Sequence, residues 1–248
     1  MPETLGAVGA QPLFATERKD RWWAGPFATA ALLLAFVVWA TYRAFENDFY
    51  KVGEYLSPFF SPLITGFVIP PSFLILWVPA GFRLTCYYYR KAYYRSILLA
   101  PPGCAVRGAH KSYKGETFLL LFQNLHRYLL YVALLFLFFL WHDAYVSYRF
   151  DGGFGVAVGS IVLTLNAAFL TLYTLSCHCL RHVAGGGCNV FADPATGKPK
   201  LRFRAWTFVT ALNAKHMQFA WVSLIWVGFT DGYVRAIAKG AWSDLRLL

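Results

Sequence analysis

Long uncharged apolar stretches, separated by shorter basic or mixed segments, dominate the pattern of this chain. A membrane-spanning helix needs roughly 20 predominantly apolar residues, and five stretches meet this requirement with charges only at their ends. The predicted spans are Trp22 to about Tyr42, Pro70-Pro71 to about Tyr89, about Thr117 to Tyr148, about Gly155 to His182, and about Trp206 to Tyr233. The pattern therefore predicts an all-α membrane protein, with a bundle of about five transmembrane helices over residues 21–240, an N-terminal tail at 1–20 and a C-terminal tail at 241–248.

Composition and proline placement refine this picture. The chain is 58% hydrophobic and only 14% charged, with a mean hydropathy of +0.45, which is too much apolar surface for a soluble domain of this length to bury. Pro70-Pro71 suits the start of a helix, whereas Pro79 is expected to kink the second span because it lacks an amide proton. No internal repeat or pair of broken helices is evident, which argues against a transporter.

The basic residues predict how the bundle is oriented. If the N-terminus is cytoplasmic, the inside segments hold 17 of the 23 Lys and Arg residues. Basic residues are enriched in cytoplasmic loops, so we predict a cytoplasmic N-terminus and a periplasmic C-terminus. The net charge of +11 then follows from topology, together with an acidic docking partner, and a nucleic-acid partner is not required.

Cysteine and histidine side chains concentrate at the predicted cytoplasmic end. Four helices bring Cys86, His126, Cys177 and His216 to a similar depth, and His178 and His182 are reserve candidates. At 100° per residue, Cys177 shares a polar stripe with Arg181, and Cys86 shares one with Arg90. Polar stripes on membrane helices face protein rather than lipid. These residues therefore form a candidate metal site, whereas Cys104 and Cys188 fall in loops.

Three cofactors suit this set of donors. A Rieske-type [2Fe–2S] centre uses two thiolates and two imidazoles, and structural zinc accepts the same ligands. Haem b would use His126 with His216 or His182 but leaves the cysteines without a role. Disulfides are not expected, because this end faces a reducing cytoplasm. A zinc-stabilised, non-redox membrane protein therefore stays open beside the redox interpretations.

Four segments carry a resemblance to a known family: CYYYRKAYYRS from Cys86, QNLHRY from Gln123, LSCHCLRH from Leu175 and LNAKHMQFAW from Leu212. Over roughly residues 20–240 the chain resembles the membrane-anchor subunit of actinobacterial-type succinate dehydrogenase or fumarate reductase, a branch of respiratory complex II. The resemblance implies a five-helix anchor in the bacterial plasma membrane, with flavoprotein and iron–sulfur subunits on its cytoplasmic side. It also implies an embedded [2Fe–2S] centre, whereas other branches use haem b. Relatives are expected to have the order Cys-His-Ser-Cys-Arg-His; here Leu180 follows Cys179, which favours Cys177 as the ligand.

The same resemblance implies quinone as the electron acceptor or donor. Side chains near the proposed ligands that offer hydrogen bonds to a quinone headgroup are Tyr89, Arg90, Asn124, Arg127 and Asn213. Basic and aromatic residues at this depth also suit lipid headgroups or a partner subunit. The chain has no flavin-binding or multi-cluster ferredoxin cysteine pattern, so it is not expected to oxidise succinate alone. Higher oligomers of the complex are a further option.

Overall fold

The computed structural model describes residues 12–109, 118–150, 153–187 and 189–248. This part of the chain is mostly helical, with two short antiparallel hairpins. In chain order the elements are α1 Ala24–Glu46, β1 Lys51–Val52, β2 Tyr55–Leu56, a 3₁₀ turn Pro58–Phe60, α2 Pro71–Thr85, α3 Tyr87–Ser96, α4 Leu119–Val146, β3 Arg149–Phe150, β4 Gly153–Phe154, α5 Val158–Leu175, α6 His178–Gly185, α7 Leu201–Asn213 and α8 His216–Ala238. The hairpins β1–β2 and β3–β4 follow α1 and α4. Cys188 and His110 lie outside the described residues.

Among the described residues, three helices are long and apolar enough to cross a bilayer: α1, residues 120–146 of α4, and α5. Apolar side chains on their outer faces are largely exposed, including Val38, Phe138 and Ile161. Contiguous exposed apolar surface of this kind is stable against lipid and not against water. The prediction of an all-α membrane protein is therefore confirmed at this level.

Three of the five predicted spans are interrupted in the structure, which corrects the expectation of continuous helices. The second ends at Thr85, and Cys86 takes extended geometry (φ −62°, ψ 129°) before α3 begins. The fourth ends at Leu175, and Cys177 is extended in the same way (φ −60°, ψ 136°) before α6. The fifth is divided between α7 and α8, just before His216. Pro79 lies inside α2, which continues past it, so proline does not cause the first break.

These breaks also correct two smaller expectations. Arg181 and Arg90 lie beyond the breaks, so they do not continue the helical stripes of Cys177 and Cys86. The chain does contain a pair of broken helices, α2–α3 and α5–α6, which the apolar pattern did not indicate. Non-helical backbone at membrane depth is tolerated where it lines a cavity or is buried in protein. The breaks therefore direct attention to the space between them.

The largest core cluster surrounds this space. Helix α4 packs against α2 and α5, and α8 packs against α5. The buried residues of the cluster come from α2, α3, α4, α5 and α8 and from the two breaks: Phe82, Cys86, Tyr89, Leu129, Leu130, Ala133, Tyr173, Cys177, Ala220 and Leu224. Both cysteines are thus part of the packed interior. We call this region of the bundle the ligand end.

The other end of the bundle is held by a buried network of ion pairs, and we call it the ion-pair end. Arg235 is 1% exposed and donates from Nε to both carboxylate oxygens of Asp231, at 3.0 and 3.1 Å. Its Nη1 lies 2.9 Å from Oε2 of Glu46, at the end of α1. Ser57 donates to Asp231 at 2.6 Å, and Lys239 pairs with Glu46 at 2.9 Å. Each charge therefore has opposite partners, as buried charges require.

Candidate metal centre

Two cysteine–histidine pairs lie at the ligand end, and each joins residues from different helices. Nε2 of His126, on α4, lies 3.0 Å from Sγ of Cys177. Nε2 of His216, at the start of α8, lies 3.4 Å from Sγ of Cys86. Cys86, Cys177 and His126 are at most 6% exposed, and His216 is partly buried. The structure thus brings the four predicted ligands together as two pairs.

The pairs remain separate from one another. Within the part of the chain that the structure describes, no three Cys, His, Asp or Glu side chains converge closely enough to hold one metal ion. The donors are two thiols and two imidazoles, the set that soft and borderline metals prefer. A group that takes all four of them must therefore reach from one pair to the other.

The second ring nitrogen of each histidine contacts a hydroxyl group. Nδ1 of His126 lies 2.9 Å from Oγ1 of Thr85, and Nδ1 of His216 lies 2.7 Å from Oγ of Ser176. These hydroxyl residues directly precede Cys86 and Cys177 in the sequence. Metal-binding histidines usually have such a partner on the nitrogen that does not bind the metal. Both imidazoles therefore present Nε2 to the sulfur atoms.

Aromatic rings cover both imidazoles. Phe82 stacks on His126 with ring centroids 4.5 Å apart, and Tyr173 stacks on His216 at 5.2 Å. Both rings come from the last turn of the helix that precedes a break, α2 for Phe82 and α5 for Tyr173. Each imidazole is thereby limited to one plane.

Local hydrogen bonds stabilise the two breaks. Breaking a helix leaves carbonyl groups without intrahelical partners. At the first break, the Tyr93 hydroxyl donates to the carbonyl of Leu84 at 3.3 Å. At the second, Nδ2 of Asn213 donates to the carbonyl of Ser176 at 2.7 Å, and Sγ of Cys177 accepts from the amide of Cys179 at 3.3 Å. The extended cysteines are thus supported rather than strained.

The two halves of the site share a sequence motif. Residues 82–86 read FRLTC and residues 173–177 read YTLSC, so each half has an aromatic residue, a leucine, a hydroxyl residue and the cysteine in the same order. The pairing is crossed. The hydroxyl of one half contacts the histidine that is hydrogen-bonded to the cysteine of the other half. The contacts of the two halves are therefore reciprocal. The motif is the signal by which Phe82, Thr85, Tyr173 and Ser176, which the sequence analysis missed, could have been found.

A cavity of about 530 Å³ opens beside the two pairs. It is lined by all four candidate ligands and by three of the five residues predicted to bind quinone, namely Arg90, Arg127 and Asn213. The other two lie elsewhere: the buried Tyr89 donates to the carbonyl of Ala220 at 2.7 Å, and Asn124 is exposed. The volume is within the range of small-molecule sites.

The reserve histidines lie on α6, beyond the end of α5, and line the same cavity. The rings of His178 and His182 are 4.9 Å apart. Burial, reinforced by the nearby His182 and Arg181, lowers the pKa of His178 from its usual range. Burial raises the pKa of the Cys179 thiol, although Arg127 opposes this effect. Neither reserve histidine is hydrogen-bonded to Cys86 or Cys177, so both lie outside the two cysteine–histidine pairs.

A smaller, apolar cavity of about 160 Å³ is lined by Phe82 and Tyr173, among other residues. Its charged lining residue, within the described chain, is Arg83. The Arg83 guanidinium donates to Ser223 at 3.1 Å and to the Tyr89 hydroxyl, and it lies 4.6 Å from the ring centroid of Tyr173. The two rings that stack on the histidines therefore line this smaller cavity, whereas the histidines themselves line the larger one.

Comparison with known proteins places this chain in a family. A family model described as the actinobacterial succinate dehydrogenase subunit SdhC matches residues 24–240. The chain belongs to this SdhC family. A solved chain, described as the Mycobacterium smegmatis Sdh1 complex in the apo form, is 41% identical to this SdhC-family chain, with a TM-score of 0.85 and 96% of each chain covered. No curated protein sequence matches. The resemblance drawn from the sequence is confirmed, and the protein is a membrane subunit of a succinate dehydrogenase complex.

Proposed function

We propose that this SdhC-family subunit anchors the flavoprotein and iron–sulfur subunits of succinate dehydrogenase to the plasma membrane. It also transfers electrons between those subunits and quinone. The proposed carrier is a Rieske-type [2Fe–2S] group held by Cys86, His126, Cys177 and His216. When bound, such a group supplies a one-electron carrier whose histidine ligands raise its potential towards that of quinones. The observation that carries the proposal is the crossed arrangement of two buried Cys–His pairs.

The donor set favours this group over the alternatives. A group with two metal atoms can reach from one pair to the other, whereas a single zinc ion needs its ligands around one point. Haem b needs two axial imidazoles facing its iron, but Nε2 of His126 and of His216 each face a thiol. The hydroxyls on Nδ1 and the stacked rings hold these imidazoles in place. The arrangement therefore provides what the thiolate–imidazole ligand set requires.

The larger cavity is the proposed site of the quinone headgroup. A quinone needs hydrogen-bond donors for its carbonyls, and Arg90, Arg127 and Asn213 supply such groups beside the candidate ligands. Tyr89 and Asn124 belonged to the sequence-based set but do not line this cavity, so we propose the narrower set of three.

The proposed topology follows from charge. The ligand end bears most of the basic residues and is placed on the cytoplasmic side, where an acidic surface of the partner subunits and anionic lipid headgroups suit it. Helices α2 and α8 then complete a five-span anchor with α1, α4 and α5. A reporter fused after Leu248 should be periplasmic, and one inserted between residues 190 and 197 should be cytoplasmic. Finding both on the same side would contradict this topology.

The function is tested by replacing both histidines. His126→Ala combined with His216→Ala removes two proposed ligands and leaves both thiols. Succinate-dependent quinone reduction should fall to background, while succinate oxidation with an artificial dye acceptor persists, because the dye takes electrons from the partner subunits. The matched control is His142→Ala, a histidine exposed near the other end of α4. Full quinone activity in the double variant, or haem absorption bands in the wild-type complex, would refute the proposal.

A further inference from the structure

The hydroxyls of Thr85 and Ser176 have a defined direction of hydrogen bonding. Oγ1 of Thr85 donates to the carbonyl of Gly81 at 2.7 Å, and Oγ of Ser176 donates to the carbonyl of Tyr173 at 2.9 Å. A hydroxyl has one proton to donate, and a carbonyl can only accept. Both hydroxyl oxygens must therefore accept from the imidazole nitrogens that they contact.

This direction fixes the histidine tautomers. Because the hydroxyls accept, Nδ1 of His126 and Nδ1 of His216 each carry the proton. In a neutral imidazole the other nitrogen then has a free lone pair. That nitrogen, Nε2, faces Cys177 in one pair and Cys86 in the other, at 3.0 and 3.4 Å. The lone pair that can bind a metal therefore points into the site on both sides.

The opposite tautomer is disfavoured in both halves. It would place a proton on Nε2, where it would block metal binding. It would also require each hydroxyl to donate to Nδ1, leaving its oxygen 2.7 or 2.9 Å from a helix carbonyl without a proton between them. Two oxygen atoms at these distances without a shared proton repel each other, because both carry partial negative charge. The backbone of α2 and of α5 thus selects the tautomer through one hydroxyl each.

We propose that Thr85 and Ser176 are the positioning residues of the metal centre, holding His126 and His216 in the Nδ1–H tautomer so that each Nε2 is free to bind metal. The proposal rests on the proposed function for the identity of the metal group. It adds that each half of the duplicated motif prepares the histidine paired with the cysteine of the other half. Neither residue is itself a metal ligand. We therefore expect their loss to change the orientation of the histidine ligands.

Two isosteric changes test this role in the assembled complex. Thr85→Val and Ser176→Ala remove the hydroxyls, whereas Thr85→Ser retains one. Thr230→Val is the matched control, because Thr230 is a fully buried threonine whose hydroxyl donates to the carbonyl of Trp226 at 2.8 Å, far from the histidines. The readouts are the concentration of an iron chelator that removes half of the non-partner iron, and the electron paramagnetic resonance spectrum, including nitrogen couplings, of the reduced cluster.

In each variant that lacks a hydroxyl, the half-removal concentration should fall roughly 10-fold or more, the usual effect of losing such a partner. The nitrogen couplings should change, and Thr85→Ser and Thr230→Val should behave as wild type. Unchanged iron retention and spectra in both Thr85→Val and Ser176→Ala would overturn the proposal, even with the cluster present.

A second measurement covers the case in which the variants do not assemble or the wild type holds no cluster. Nitrogen-15 spectra of histidine-labelled, iron-depleted wild-type complex should contain two Nδ1–H imidazole signals that are missing from the His126→Ala/His216→Ala variant. Nε2–H signals in their place would overturn the positioning role. Absence of an extra cluster from the wild type would instead refute the proposed function, so the two failures are distinguishable.

Discussion

The two ends of the bundle bury polar side chains in contrasting ways. At the ion-pair end, Arg235, Asp231 and Glu46 neutralise one another, and α8 continues through the network without a break. At the ligand end, the buried groups include two thiols and two imidazoles, beside helix breaks and a cavity. In the first network each charge has an opposite partner, whereas the second consists of two cysteine–histidine pairs that line a cavity. The contrast separates polar groups that stabilise the fold from polar groups that we propose to serve chemistry.

The largest expected effect of a single change is at the ligand end. Cys177→Ala removes a thiol that is 1% exposed and pairs with His126. Quinone reduction should fall to background, and the signal of the embedded cluster should vanish. Stability should change by less than about 2 kcal/mol, because little volume is lost. The control is Cys104→Ala, an exposed cysteine in a loop, which should have no effect. Equal rates of quinone reduction in the Cys177→Ala and Cys104→Ala variants would contradict a chemical role for the ligand end.

At the ion-pair end the effects should be reversed. Arg235→Leu leaves Asp231 and Glu46 without their buried partner, which should lower stability by about 3–5 kcal/mol. Complexes that do assemble should keep the cluster signal. Lys239→Ala, which removes a more exposed member of the network, should cost no more than about 1 kcal/mol. Thermal unfolding in detergent provides the measurement, and loss of the cluster from intact Arg235→Leu complex would show that the two ends are coupled.

Two asparagines allow a residue that lines the cavity to be compared with one that does not. Asn213 lines the cavity and donates to the carbonyl of Ser176, whereas Asn124 is exposed and lies outside it. Asn213→Ala should raise the KM for quinone and lower stability by about 1–3 kcal/mol, because it leaves a carbonyl at the break without a partner. Asn124→Ala should leave both quantities unchanged. A higher KM in Asn124→Ala alone would move the quinone site out of the cavity.

Some features of the two ends could be predicted from the sequence, and others could not. The apolar runs predicted the three helices that, among the described residues, are long and apolar enough to cross a membrane. The grouping of Cys86, His126, Cys177 and His216 was predicted because spans of similar length start from aromatic boundaries. The breaks at Cys86 and Cys177 were not predictable from composition. Both cysteines continue apolar runs, and no proline or glycine is adjacent to them.

The breaks depend instead on contacts between distant segments. Asn213 donates a hydrogen bond to the carbonyl of Ser176. The hydroxyls beside the two cysteines contact histidines that lie on other helices, α4 and α8. Such contacts have no local sequence signature. The repeated aromatic–hydroxyl–cysteine motif was present in the sequence, but its meaning depended on the crossed pairing, which only the fold reveals. For the same reason, the helical stripes drawn through Arg181 and Arg90 were wrong.

The smallest effect is expected for Tyr173→Phe. The Tyr173 hydroxyl is buried and makes no hydrogen bond to any described residue, while its ring stacks on His216. Phenylalanine keeps the ring and removes the unsatisfied group, so stability should stay the same or rise by about 1 kcal/mol. The KM for quinone should change by less than about 2-fold. A 10-fold change would require a loss of about 1.4 kcal/mol in binding free energy, and this substitution removes no hydrogen bond. A large increase in KM would place the quinone headgroup in the smaller apolar cavity.

The most direct test of the account is the iron and acid-labile sulfide content of the purified complex, measured with its electron paramagnetic resonance spectrum. The wild type should contain about two irons and two sulfides more than the His126→Ala/His216→Ala complex, as one [2Fe–2S] group requires. The difference spectrum should show a cluster with nitrogen ligands. Equal iron and sulfide in the two complexes, with no difference in the spectra, would contradict the assignment of the ligand end as a cluster site.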